Sequence, residues 1–171
     1  TAVTNLSLLP GSRSVRDVER LAEQARNGSM VLSNHLSCGL NAWDYCLIDC
    51  PPSLGELTRT ALAGSTEVLM PIQCEYFALE GLTQMIEVIR DVMADQPGRL
   101  SFSGIVLTMH DANLELTTEV EREVRDFFGE IVFDTVIPRD VAVSEAPSHA
   151  LSVLDYAPRS LDRKSTRLNS S

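Results

Sequence analysis

Nowhere in these 171 residues does Gly-x-x-x-x-Gly-Lys-Ser/Thr occur, so the chain carries no loop of its own that cradles phosphates on successive backbone amides. No Cys-x-x-Cys joins its four cysteines, Cys38, Cys46, Cys50 and Cys74, whose spacings do not supply the cluster that an iron–sulfur site needs. Reduced thiols of this kind fit a cytosolic protein, where a buried cysteine acts as a small hydrophobe. Apolar runs stay short. The stretch Glu67-Val-Leu-Met-Pro-Ile72 is strand-length and far below a membrane span. Basic residues are outnumbered, 14 against 24 acidic, and the net charge of −10 argues against a generally basic nucleic-acid-binding surface. The three histidines, His35, His110 and His149, are too scattered to form a metal set.

What is present suits one globular domain. With 44% hydrophobic and 22% charged residues the chain can bury a core and is not disordered by composition. Both ends read as artificial. The chain opens on Thr1, without an initiating Met, and closes on Asp162-Arg-Lys-Ser-Thr-Arg-Leu-Asn-Ser-Ser171, which resembles a one-frame translation of sequencing-adapter DNA. Residues 162–171 are therefore set aside as a non-native tail and 1–161 taken as a partial domain. The tail holds three cations and one anion, so without it the charge moves from −10 to −12.

The most informative segment is Tyr45-Cys46-Leu47-Ile48-Asp49-Cys50-Pro51-Pro52-Ser53. An apolar run leads into an aspartate, and two prolines forbid the strand from continuing. The spacing predicts a strand over Tyr45–Asp49 that carries one carboxylate to its end, where open α/β sheets bind ligands. A hard cation such as Mg²⁺ takes oxygen ligands and retains waters, so a single carboxylate beside phosphates suffices as an anchor. The plainer alternative is a strand-end aspartate that caps the next turn.

Further along, Asn5–Leu9 reads as a short strand, and Ser14 with Asp17 opens a helix through Val15, Val18, Leu21 and Ala22. A weaker helix runs through Leu32, Leu36 and Leu40. Leu57, Ala61 and Leu62 form a helical stripe that ends at Gly64-Ser65. A strand over Glu67–Ile72 precedes a long helix from about Leu79 to Gln96, whose apolar face is Leu82, Met85, Ile86 and Ile89; Pro97-Gly98 stops it. Ser101–Met109 reads as a strand, Leu116–Phe128 as a charged amphipathic helix, and Ile131–Ile137 as a strand broken by Pro138. Strands alternating with helices predict the α/β class, a doubly wound and mostly parallel sheet flanked by helices.

Five segments in this order together resemble the ParA/Soj family of deviant Walker-A ATPases, which partition chromosomes and plasmids. They are Tyr45–Gly55; Pro71-Ile-Gln-Cys-Glu-Tyr-Phe-Ala-Leu-Glu-Gly-Leu82; Leu107-Thr-Met109; Thr135-Val-Ile-Pro-Arg139; and Ser144-Glu-Ala-Pro-Ser-His149. The match is good over residues 45–160 and loose over 1–44. It implies a P-loop fold, truncated at both ends, whose phosphate loop lies upstream, and an enzyme that hydrolyses ATP when complete. Asp49 matches the Walker-B aspartate that holds Mg²⁺. Thr108, Met109, Pro138 and Arg139 match the adenine pocket, where backbone groups read the base edge and side-chain identity says little; a plain loop suits them almost as well. Pro51, Pro52 and Gly55 match a turn that senses the γ-phosphate. Tyr76 and Phe77 suit either a dimer interface or the core.

The resemblance also implies a homodimer formed on ATP, a ParB-like centromere-binding partner, no membrane association, and a cytoplasmic, nucleoid-associated location. Nonspecific DNA binding is weakened, since Asn113 and Ala142 stand where family members carry arginines. Arg122, Arg125 and Arg139 are other cations available to it. Two alternatives differ in class. One is a degenerate, non-catalytic relative that binds a partner through the Leu79–Gln96 helix. The other is a MinD-like membrane-associated ATPase. Cys50 lacks the following arginine that phosphatase chemistry needs, so the cysteines read as structural. His149 reads as ordering its loop.

Overall fold

The computed structural model describes residues 5–9, 32, 43–51, 53–76 and 78–158. The chain divides into two compact units, Thr1–Ser65 and Thr66–Ser171. The expected helix from Ser14 lies outside the described residues, as does the helix through Leu36 and Leu40 apart from Leu32, which is helical.

In the first unit the described regular element is helix α1, Glu56–Gly64. Thr58 Oγ1 donates 2.6 Å to Ser53 O, which ties the first turn to the segment before it. Thr58, Ala61, Leu62 and Ala63 are buried, the expected stripe displaced slightly from Leu57. Ser65 closes the helix by donating its backbone N–H to Leu62 O and its hydroxyl to Ala61 O. Two expectations fail here. Residues 6–9 and 45–50 carry no strand, and Tyr45 (88% exposed) and Leu47 (95%) face solvent. A strand is stable only within a ladder that pairs its N–H and C=O groups. None of the described residues pairs with either segment as a strand, so apolar composition alone does not make one.

The second unit is built from two successive βαβ crossovers. Strands β1 (Glu67–Gln73), β2 (Ser101–His110) and β3 (Val132–Pro138) form a parallel sheet in the order β1-β2-β3. Helix α2 (Ala78–Asp95) follows β1 and touches it, and helix α3 (Glu115–Phe128) follows β2 and touches both β2 and β3. A 3₁₀ turn, Gly129–Ile131, leads into β3. After β3 come helix α4 (Val141–Glu145), a 3₁₀ turn at Ala146–His149, and helix α5 (Val153–Tyr156). From Glu67 to Pro138 the element ends lie within about one residue of those read from the sequence, an agreement finer than helix ends are usually defined.

The register explains the core. Met70 aligns with Ile105 and Ile105 with Val132, so these three share one face of the sheet, and all are buried. Leu107, two residues on from Ile105, is wholly buried on the same face. The helices supply Leu82, Val88, Ile89 and Val92 from α2, and Thr117, Val120 and Val124 from α3, both at the three-to-four spacing of one helix face. Each such large aliphatic side chain stabilises the fold by roughly 1.5–3 kcal/mol on burial.

Between β1 and β2 the register slips: Val68 pairs with Phe102 but Leu69 with Gly104, leaving Ser103 as an extra residue. Gly104 takes a φ of 145°, and a Cβ there would stand 2.8 Å from Ile131 O and 3.0 Å from the Phe133 ring. A bulge with a glycine lets the neighbouring backbone approach that closely.

Candidate functional site

A parallel sheet delivers all its strands' C-terminal ends to one edge, and in the second unit that edge gathers four of the five candidate site residues. Thr108 and Met109 lie at the end of β2; Pro138 ends β3 and Arg139 follows it. His110 aligns with Pro138 in the ladder, and Arg139 N donates 2.8 Å to His110 O. On the other side Cys74 N donates 3.0 Å to Thr108 O, and the Thr108 hydroxyl donates 3.1 Å to Ile72 O. The three strand ends are thereby stitched by backbone hydrogen bonds across β2.

Met109 is the conformational exception. Its φ of 53° lies in the left-handed region, which a side chain bearing a Cβ enters at a cost of about 1 kcal/mol. It sits between the Cys74–Thr108 and His110–Arg139 bonds, with its side chain partly exposed. Asp111 follows, and its carboxylate accepts from both Asn113 N and Asn113 Nδ2 at 3.0 Å. Those bonds, and secondarily the guanidinium of Arg139, hold the Asp111 carboxyl below the usual carboxylate range. Asn113 is thus occupied in the turn that opens α3. Ala142 N is likewise bonded, donating 2.9 Å to Asp140 Oδ1 at the start of α4.

Two features of this edge were not visible in the sequence. Arg139 Nη2 lies 3.1 Å from Glu75 Oε1, joining the segments that follow β3 and β1. Beneath the edge, His110 Nε2 is shut off from solvent 2.8 Å from Glu121 Oε2, an ion-pair distance whose approach is not aligned for a hydrogen bond. Glu121 also pairs with Arg125 Nε at 2.9 Å, and Arg125 Nη1 donates 3.1 Å to Phe133 O. These partners come from different elements, except Glu121 and Arg125, whose four-residue helical spacing was the one readable signal.

The cysteines divide. Cys74 is buried, and desolvation, with a smaller contribution from the Glu121 carboxylate, pushes its thiol up to about 11 against the opposing pull of Arg125. It is a structural thiol, as expected. Cys46 and Cys50 are exposed, which corrects the expectation that they are buried; with no strand over 45–50 they have no core to join. The Cys50 thiol is nonetheless raised, first by partial desolvation of its sulfur and then by Asp49, so it is a poor nucleophile.

Asp49, the fifth candidate, lies in the first unit within the unpaired 45–50 segment, exposed to solvent. Among the described residues no group of three or more His, Cys, Asp or Glu side chains is arranged to hold a metal. A lone exposed carboxylate still fits Mg²⁺, which binds through one or two carboxylates and fills its shell with water and phosphate oxygens. In the second unit His149 stacks on the Tyr156 ring at 4.9 Å, and Tyr156 donates 3.1 Å to Glu145, which ties the Ala146–His149 turn to helices α4 and α5. No helix among the described residues is long and apolar enough to cross a membrane.

Comparison with known proteins agrees with this architecture. The family model for an AAA domain matches residues 1–102. The chromosome-partitioning ATPase Soj of Treponema pallidum is 45% identical over 91% of this chain and 62% of its own length. The sporulation initiation inhibitor protein Soj of Bacillus subtilis is 41% identical over 94% of this chain and 63% of its own. The chain therefore spans about six-tenths of the length of these relatives. Among solved structures, cobyrinic acid a,c-diamide synthase from Mycobacterium smegmatis, with bound ADP and magnesium, superposes with a TM-score of 0.71 at 29% identity, over 78% of this chain and 54% of that one. Apo McdA from Cyanothece superposes at 0.80 over 92% of this chain and 64% of that one; at 14% identity this speaks for the fold alone. The chain belongs to the AAA-domain family, and its likeness to the Soj and ParA partitioning ATPases runs through nine-tenths of its length.

Proposed function

We propose that this chain is part of a ParA-type DNA-partitioning ATPase, its Walker-B half onward, with Asp49 as the Walker-B aspartate. The observation that carries the reading is the convergence of Thr108, Met109, Pro138 and Arg139 on one C-terminal sheet edge, in a chain whose relatives are named partitioning ATPases. That edge is the adenine side of an ATP site, where backbone groups around the left-handed Met109 read the base. Asp49 holds Mg²⁺, which neutralises charge on the phosphates in phosphoryl transfer. The carboxylate supports the metal and is not a nucleophile. A solved relative bound to ADP and magnesium supports this pairing of cofactors.

The complete protein dimerises on ATP·Mg²⁺, works with a centromere-binding partner of ParB type and binds DNA nonspecifically. Residues 162–171 are foreign to it. The isolated chain lacks phosphate-binding lysines and is inactive. The test is the uninterrupted reading frame: a Lys-Gly-Gly-x-Gly-Lys-Thr loop upstream is expected, and its absence from the complete frame removes the ATPase reading.

A further inference from the structure

Arg139 is a cation placed on an edge that is otherwise acidic. We propose that Glu75 and Asp111 determine specificity by cancelling its charge, so that this edge excludes phosphate groups and is left to the uncharged end of a nucleotide. The inference rests on the reading of this edge as a base site and adds what keeps a nucleotide from entering it the wrong way round.

The peptide of Arg139 is fixed by its bond to His110 O, so the side chain starts from a set position. From there the guanidinium reaches back to Glu75, a single-pronged pair at 3.1 Å, with both side chains about half exposed (51% and 57%). Asp111 follows His110, whose carbonyl accepts the Arg139 N–H, which sets its carboxylate on the same edge. Asp140, next in the chain, accepts the Ala142 N–H that starts α4. Any positive charge on His110 is met by Glu121. The guanidinium thus faces Glu75 at contact distance with Asp111 on the same edge, so its charge is offset there.

A triphosphate brought to such an edge meets like charge and a guanidinium already engaged. An uncharged purine meets neither obstacle. An exposed pair is weak and easily exchanged, and Asp111→Asn keeps the side-chain oxygen that accepts from Asn113, so removing the two charges uncovers Arg139.

The experiment follows the Arg139 Nε–Hε resonance of the 171-residue chain by NMR during titration with inorganic tripolyphosphate. The unmodified chain is expected to bind tripolyphosphate at Arg139 only weakly. The Glu75→Gln/Asp111→Asn variant is expected to bind tripolyphosphate at Arg139 about tenfold more tightly, more weakly as salt rises. Adding Arg139→Gln to that variant abolishes the increase. The proposal is overturned if the unmodified chain binds tripolyphosphate at Arg139 as tightly as the variant, or if the variant binds it no better. A parallel titration with adenosine separates the two ideas. Shifts at Thr108 and Met109 in both proteins support the base site. Silence there, with the tripolyphosphate effect intact, removes the base reading and leaves the charge control standing.

Discussion

Gly104 is where one residue decides most. Its positive φ and the 2.8 Å clearance to Ile131 O leave no room for a Cβ. Gly104→Ala is expected to destabilise the fold by roughly 1–3 kcal/mol, seen as a lower urea midpoint; an unchanged midpoint means the bulge relaxes freely. The sequence held the signal, since a glycine inside an apolar strand marks a bulge, but not which backbone would close over it. Cysteine reactivity tests the local environments in the same way. With its thiol near 11, Cys74 is almost wholly protonated at neutral pH and forms thiolate only as pH rises towards that value. Residue-resolved alkylation at about pH 8, close to the ordinary thiol range, should label Cys46 readily and Cys74 slowest, and fast labelling of Cys74 contradicts its burial.

Elements were legible where periodicity met chain punctuation. The α2 stripe through Leu82 and Ile89, stopped by Pro97-Gly98, and the run Ser101–Met109 gave α2 and β2 almost to the residue. The run Tyr45–Asp49 gave nothing of the kind, because a strand exists only with a partner and hydrophobicity does not name the partner. Packing of the central strand is tested by Leu107→Ala, expected to cost about 2–5 kcal/mol by calorimetry as a fully buried leucine is lost. A loss under about 1 kcal/mol would mean the site collapses around the gap. Arg125 fastens α3 to β3 through Phe133 O. Arg125→Met keeps the stem and removes the donors, so a loss of about 1–2 kcal/mol is expected in chemical denaturation. An effect indistinguishable from zero contradicts the fastening.

At the scale of the whole molecule, the sequence disclosed which segments end at the sheet's C-terminal edge and not which side chains meet there. Glu75 and Arg139 are 64 residues apart, and only the parallel register brings them together. Charge, by contrast, is read directly, and −10 bears on DNA. In the complete protein Asn113→Arg and Ala142→Arg are expected to strengthen duplex binding and to steepen the log–log salt dependence by about 0.9 for each further phosphate neutralised. A slope already as steep in the unmodified protein places the basic patch elsewhere. The most direct test of the central claim is ATP turnover by the product of the uninterrupted reading frame, with and without Asp49→Ala. Slow, Mg²⁺-dependent hydrolysis is predicted, falling about 100-fold or more in the variant, the scale of losing one key electrostatic contributor. Hydrolysis unchanged by Asp49→Ala would contradict the assignment of this carboxylate to the metal.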